Sequence, residues 1–286
     1  MSDSGFDPRR CKEEQRQAWN SVASGWAEWW EAIERGGQVV SDRLIEGAGL
    51  QPGHRVLDLA TGIGEPALTA AKRVGPSGRV LATDQARNML ELGRKRAAGM
   101  GLRNVEFLES DTEELTLPPS SFDAVLSRWG LMFLPDLSRA LAKVASFLTP
   151  GGRFATAVWG PPEKVPLITI ASGTVRELLG VPPPPPDVPG PFSLADVTVL
   201  ERALGSAGFS QVRSERITVT FEWPSAEEYT RFQRSVAASI RALVADLPTE
   251  RQATVWDAIT KAVQPYAGTD GVVRLHNEGI IVTAQR

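Results

Sequence analysis

The stretch Val56-Leu-Asp-Leu-Ala-Thr-Gly-Ile-Gly-Glu-Pro66 decides the fold, because a short apolar run passes into two glycines and then into residues suited to open a helix. It reads as strand, tight turn and helix. Gly62 and Gly64 lack a Cβ, so the backbone there can take positive φ and let a ligand approach the peptide units. Pro66 is tolerated in a first helical turn, whose free N–H groups face the crevice where α/β sheets bind ligands.

By template, Gly62-x-Gly64-x-x-Ala67 also satisfies the dinucleotide fingerprint, with Asp84 at the distance of a ribose-binding acid. Asp58 tilts the reading, since it places a carboxylate inside a strand that dinucleotide-binding proteins keep apolar. A buried charge needs a cationic ligand group or an ordered network beneath the loop, or else it caps the turn. The hydrophobic-hydrophobic-Asp-x-(Gly/Ala)-x-Gly-x-Gly pattern resembles that of the class I S-adenosylmethionine-dependent methyltransferases.

With 286 residues, 42% hydrophobic and 23% charged, the chain can bury one large core carrying an elaborated cap. A net charge of −3 argues against a nucleic-acid partner. The single cysteine, Cys11, and two histidines give no zinc constellation, so no metal is expected. No apolar run has signal-peptide or membrane-spanning character, which makes the cytoplasm the expected location and a membrane an unexpected partner.

The first 50 residues read as helical, with Trp26, Trp29, Trp30 and Ile33 on one face and Gly36-Gly37 expected to end that helix before another at 40–48. Such a stripe packs on the domain or serves as a lid, where aromatic faces suit a sulfonium cation and an apolar acceptor alike. Residues 79–83 form a second strand ending at Asp84, which is placed to hold ribose hydroxyls or to cap helix 86–98; Met89 on that helix faces the adenine. After strand 105–109, Asp111 is the choice for the adenine amino group, and Glu113 and Glu114 are expected to face solvent. Strand 124–127 runs into Arg128-Trp129-Gly130-Leu131-Met132-Phe133, a bulky apolar group at a crevice edge that fits an apolar or aromatic acceptor.

Helix 136–148 and strand 153–159, ending at Trp159, complete a strict alternation that implies a doubly wound parallel sheet. Beyond it come a helix at 163–180, a polyproline spacer at 181–187, a helix at 194–206 and a strand at 211–222. Two further helices open with the capping boxes Ser225-x-x-Glu228 and Thr249-x-x-Gln252, the first presenting Tyr229 and Phe232. The last strand, 272–284, is expected antiparallel at the sheet edge. That orientation makes His276 the candidate general base, with His54 at the opposite edge.

Across residues 19–160 the chain resembles the branch that includes the ubiquinone/menaquinone-biosynthesis C-methyltransferases. The strings are Val56-Leu-Asp-Leu-Ala60 with Gly62-Ile-Gly64, the acid Asp84, Asp111-Thr112, Ser121-Phe-Asp123 and Leu148-Thr-Pro-Gly-Gly152. The resemblance implies an α/β fold, a mostly parallel seven-stranded Rossmann-like sheet with an antiparallel final strand and a helical cap. The order of elements divides the chain into a lid (1–50), a core (51–160) and a remainder (161–286) that completes the sheet and inserts cap helices at 163–180 and 225–264. The resemblance implies S-adenosyl-L-methionine as cofactor. Asp58, Ala60, Thr61, Gly62, Ile63 and Gly64 would meet its methionine moiety, and Asp84 and Gln85 its ribose. Met89, Asp111 and Thr112 would meet the adenine, Ser127 and Arg128 the methyl-bearing side, with Trp26 above. The shared motifs say little of the acceptor; from the residues themselves, Trp129, Met132, Phe133, Trp159, Tyr229 and Phe232 are the candidates to hold it.

Arg128 departs from the small hydroxyl residue common in the quinone enzymes, and Trp19 and Trp26 stand where tyrosines are usual. The expected reaction is methyl transfer to a small, largely apolar or aromatic acceptor. A nicotinamide-dependent oxidoreductase and a non-catalytic S-adenosylmethionine-binding protein are the alternatives.

Overall fold

The protein is described from a computed structural model. It covers residues 6–185 and 188–286, so the first five residues and the last two of the polyproline stretch lie outside the described residues. Two helices open it, α1 (Pro8–Glu28) and α2 (Trp30–Gly47), followed by β1 (Arg55–Leu59), α3 (Ala67–Val74), β2 (Arg79–Asp84), α4 (Arg87–Gly99) and β3 (Val105–Glu109). Next come β4 (Phe122–Arg128), α5 (Leu137–Phe147), β5 (Leu148–Trp159), α6 (Pro166–Leu179), α7 (Val197–Ser206) and β6 (Ser210–Trp223). The chain closes with α8 (Ala226–Val236), α9 (Ala238–Val244), α10 (Thr249–Val263) and β7 (Val273–Gln285).

Among the described residues the seven strands form one sheet in the order β3-β2-β1-β4-β5-β7-β6. β1 to β5 pair in parallel, and β7 runs antiparallel to both neighbours. The antiparallel final strand is as expected, but β6 rather than β7 takes the edge. The reason is hydrophobic: Ile280, Val282 and Ala284 of β7 are buried, as is a continuous interior strand, whereas Arg213 to Arg216 of β6 are exposed. β1 and β4 are central and almost wholly buried, and the strand order reverses between them. Ligands of open α/β sheets bind at that switch point.

The N-terminal helices break elsewhere than the sequence implied. Trp29 leaves helical geometry (φ −102°, ψ 10°), while α2 runs straight through Gly36 and Gly37. Those glycines serve close approach: a Cβ on Gly36 would lie 2.4 Å from Phe221 Cδ1, and one on Gly37 3.0 Å from Arg128 Nη1. The helical stripe is also split, with Trp29 and Ile33 buried and Trp30 exposed. Thr249 likewise caps nothing with its side chain, because Pro248 takes the cap position and Gln252 donates to the Leu247 carbonyl. Ser225 does accept from the Glu228 amide, as its box predicted.

α2 packs across β4 to β7, and α6, α8, α9 and α10 pack on one another as a cap. α1 touches α4 of the core on one side and α8 and α9 of the cap on the other, so it spans the mouth of the sheet. No helix among the described residues is long and apolar enough to cross a membrane.

Candidate functional site

The glycine loop leaves β1 through three positive-φ residues, Ala60 (56°), Gly62 (56°) and Gly64 (108°). The Thr61 amide donates to Thr83 O and the Gly64 amide to Thr61 O, each at 2.9 Å, which pins the loop to β2 and closes the turn. The two glycines answer different demands. A Cβ on Gly62 would meet nothing within 4 Å, leaving room for a ligand, whereas one on Gly64 would press on Leu68 Cδ1 at 3.0 Å.

Asp58 lies wholly buried beneath this loop. Its Oδ2 accepts from the Ala67 amide at 3.1 Å, so it does cap the turn, but Oδ1 has no partner among the described residues, nor has the Thr61 hydroxyl. Burial drives the Asp58 carboxyl up to about 8. At the end of β2, Asp84 accepts from the Gly62 amide through Oδ2 and from the Ala86 amide through Oδ1, both at 2.8 Å. It therefore ties the loop to the start of α4; burial holds it up to about 6 against those amides. Gln85 follows it, half-buried.

Ile63, Ala86 and Met89 form a small apolar cluster with Val22 and Ala23 of α1, flanked by Trp19 and Trp26. Beyond β3, Thr112 is buried, and Asp111 accepts from the Glu113 amide through Oδ1 while Oδ2 lies 2.8 Å from Lys12 Nζ of α1. Glu113, expected in solvent, is buried: it pairs with Lys12 at 2.5 Å and accepts from the Asp136 amide at 2.8 Å. The turn at Asp111 folds it back under α1, where a carboxylate needs a cation. Glu114 is exposed and pairs with Arg139.

On the other side of the loop, the Ser127 hydroxyl donates to Leu59 O at 3.0 Å. Arg128 turns into α2, with Nη2 2.9 Å and Nη1 3.0 Å from the two oxygens of Glu34 and a further bond to Ser41 Oγ. The polar side-chain atoms of these two predicted ligand residues are thus taken up by the protein. Trp129 holds a positive φ of 61° and stacks on Trp159 with centroids 4.3 Å apart. Left-handed backbone at a bulky residue costs free energy and marks functional edges of sheets. Ring contacts continue through Phe221, Trp223 and Phe232 to Trp29, while Trp19 bridges Trp26 and Phe133; Met132 is buried beside them. The indole N–H groups of Trp26, Trp29, Trp129 and Trp223 are buried with no acceptor among the described residues.

Two predicted site residues, Tyr229 and His276, lie elsewhere. Tyr229 is wholly buried inside the cap, its hydroxyl donating to Leu167 O at 3.0 Å, and Phe232 packs between Trp29 and Trp223. His276 is exposed on the outer face of the antiparallel β6–β7 pair, 2.9 Å from Thr220 Oγ1. Its register decides this: opposed pairs Val219–Asn277 and Phe221–Leu275 are buried, so the intervening Thr220–His276 pair points away. His54 accepts from the Gln51 amide in the turn before β1, at the opposite edge.

The sequence reading missed a buried ionic set below the loop. Arg96 donates to Ile63 O at 2.8 Å and lies 3.6 Å from Glu65, whose carboxyl burial pushes up, and Arg128 with Glu34 completes it. Glu34, Gly37 and Ser41 recur at helical spacing, and an acid on that stripe was the signal available in the sequence.

S-adenosylmethionine fits these residues: the unpartnered Asp58 oxygen and Thr61 hydroxyl and the open space at Gly62 are what an ammonium-bearing, close-packed ligand requires. Residues 56–152 match the family model described as a methyltransferase domain. Aklanonic acid methyltransferase DauC of Streptomyces sp. (strain C5) is 39% identical over 135 residues, 44% of this chain and 61% of that protein. The ubiquinone/menaquinone biosynthesis C-methyltransferase UbiE of Pasteurella multocida is 35% identical over 127 residues, 44% of this chain and 47% of its own. The matched stretch therefore spans about half to three-fifths of these relatives.

In fold, the YcgJ protein of Bacillus subtilis superposes with a TM-score of 0.56 at 17% identity, covering 87% of this chain and 98% of that one. Haemonchus contortus phosphoethanolamine N-methyltransferase 2 gives 0.55 at 16% identity, covering 89% and 56%. The matched segment, the glycine loop and the sheet order give residues 56–152 a methyltransferase domain like that of the class I S-adenosylmethionine-dependent enzymes, with resemblance to the UbiE branch.

Proposed function

We propose that the protein transfers the methyl group of S-adenosylmethionine to a small, neutral aromatic acceptor that carries oxygen substituents. The observation that carries this reading is the continuous run of rings from Trp159 and Trp129 to Trp29, together with four buried indole N–H donors that lack acceptors. A buried donor left unpaired costs ~1–3 kcal/mol, and carbonyl or hydroxyl oxygens of a bound aromatic would satisfy such groups. One relative is named for ubiquinone and menaquinone biosynthesis, which supports an oxygen-bearing ring as acceptor.

S-adenosylmethionine supplies an electrophilic methyl group on a sulfonium centre. The chain's own part is to hold and to exclude. Asp58 offers an unpaired carboxylate oxygen for a cationic group, and Asp84 fixes the loop against which a ribose would lie. Trp129 and Trp159 give a flat wall against which a planar acceptor aligns, and α1 keeps water from the mouth. Alignment and desolvation supply much of the rate in such transfers. With both histidines directed elsewhere, the acceptor's own acidity carries the proton loss in this reading. A cytoplasmic location belongs to the same proposal.

The test is incubation of purified protein with labelled donor and a panel of neutral hydroxy- and oxo-aromatics, aliphatic amines and carboxylates. Label in the aromatics supports the reading, and label confined to the amines or carboxylates overturns the acceptor class. Binding of S-adenosylmethionine with no transfer to the panel or to lysate small molecules favours the non-catalytic alternative.

A further inference from the structure

Helix α1 is anchored to the rest of the protein at three points along its length. Its C-terminal end meets the non-helical Trp29, and Gly25 lies so close to α8 that a Cβ there would fall 2.2 Å from Ser235 O. Its middle covers the apolar nucleoside-side residues Ile63 and Met89 with Val22 and Ala23, and Asn20 accepts two hydrogen bonds from Asn88 of α4. Near its N-terminal end, Lys12 reaches both Asp111 (2.8 Å) and Glu113 (2.5 Å). Lys12, Trp19, Ala23 and Trp26 fall on one helical stripe, so the cation and the covering apolar residues face the core together.

Lys12 and Trp29 stand 17 positions apart, about 25 Å at 1.5 Å per residue. The ion pair therefore acts at the far end of a long lever whose other end carries the only break between α1 and α2 among the described residues. Glu113 is buried, and its pair with Lys12 is desolvated enough to matter, unlike the exposed pairs of α1 such as Arg10–Glu14.

We infer that Lys12 is the catch of a lid: α1 swings at Trp29, and the Lys12 pair with Asp111 and Glu113 holds it shut over the bound nucleoside and sets the rate at which S-adenosylhomocysteine leaves. The inference rests on the cofactor assignment above. Lys12 acts through α1 and is a positioning residue; Asp111 and Thr112 lie on the adenine side, so the catch and the ligand share one loop.

The experiment is stopped-flow release of S-adenosylhomocysteine from the full chain, followed by tryptophan fluorescence. Lys12→Met is expected to release the ligand at least tenfold faster, with a similar rise in Kd and nearly unchanged association. Glu113→Gln, which keeps an oxygen for the Asp136 amide, should do the same if Lys12→Met folds poorly. Lys12→Arg should restore most of the slow release. High salt should speed release from the wild type and leave Lys12→Met unaffected. Release from folded Lys12→Met and Glu113→Gln within twofold of wild type would overturn the catch. Failure of the wild type to bind S-adenosylhomocysteine at all would instead overturn the cofactor reading on which it rests.

Discussion

Arg128 Nη2 lies 2.9 Å from Glu34 Oε1, with both side chains less than a tenth exposed, so the end of β4 is bound to α2 by a desolvated ion pair. Removing one partner of such a pair strands a buried charge and costs ~3–5 kcal/mol, while a well-packed apolar pair is tolerated. Glu34→Gln and Arg128→Met should each lower the denaturation free energy by about that much in urea titrations, and Glu34→Leu with Arg128→Met should recover a large part. Additive losses in the double variant would count against coupling.

Asp58 and Asp84 both hold carboxyl groups raised by burial, to about 8 and about 6. A carboxyl whose folded pKa exceeds its unfolded value of about 3.9 contributes stability below pH 4 that is lost as pH rises. Stability from these two groups should therefore fall between about pH 4 and pH 8. A cationic ligand favours the Asp58 carboxylate, so binding at pH 7 should release a proton. Calorimetry in buffers of different ionisation enthalpy reads this directly, and Asp58→Asn should abolish the release.

Asp84→Ala should weaken S-adenosylmethionine binding at least tenfold, because the Gly62 amide loses its acceptor as well as the ligand losing a carboxylate. Isothermal titration decides it. An unchanged Kd would show that the loop keeps its shape without Asp84.

Trp129→Leu should raise the acceptor KM at least fivefold and leave cofactor Kd within twofold, since the ring stacks on Trp159 and not on the Ile63–Met89 cluster. His276→Gln should leave turnover within twofold, because the imidazole faces solvent beside Thr220. Steady-state kinetics with one accepted aromatic checks both.

Gly36→Ala sets local propensity against packing. Alanine favours a helix interior over glycine by about 1 kcal/mol, but its Cβ would fall 2.4 Å from Phe221 Cδ1. Overpacking of that kind costs ~1–3 kcal/mol, so the variant should melt lower than the wild type, with Gly99→Ala, where nothing lies within 4 Å, as the control.

The sequence by itself determined the sheet and the cofactor class. The short apolar runs of β1 and β4, the helix signals between them and the Asp58–Gly62–Gly64 spacing are local properties, set within a few residues of chain. Tertiary structure alone decided which polar atoms remain for a ligand. Arg128 and Ser127 stand at the predicted edge but are consumed by Glu34 and Leu59, partners 94 and 68 residues away, and Lys12 meets Asp111 across nearly a hundred. The orientation of His276 followed from its register with β6, and the role of Gly36 from the ring of Phe221 against it. Spacing along a chain fixes which residues share a face, whereas a buried charge or ring takes its partner from whatever distant segment packs there, and that choice is made only when the core closes.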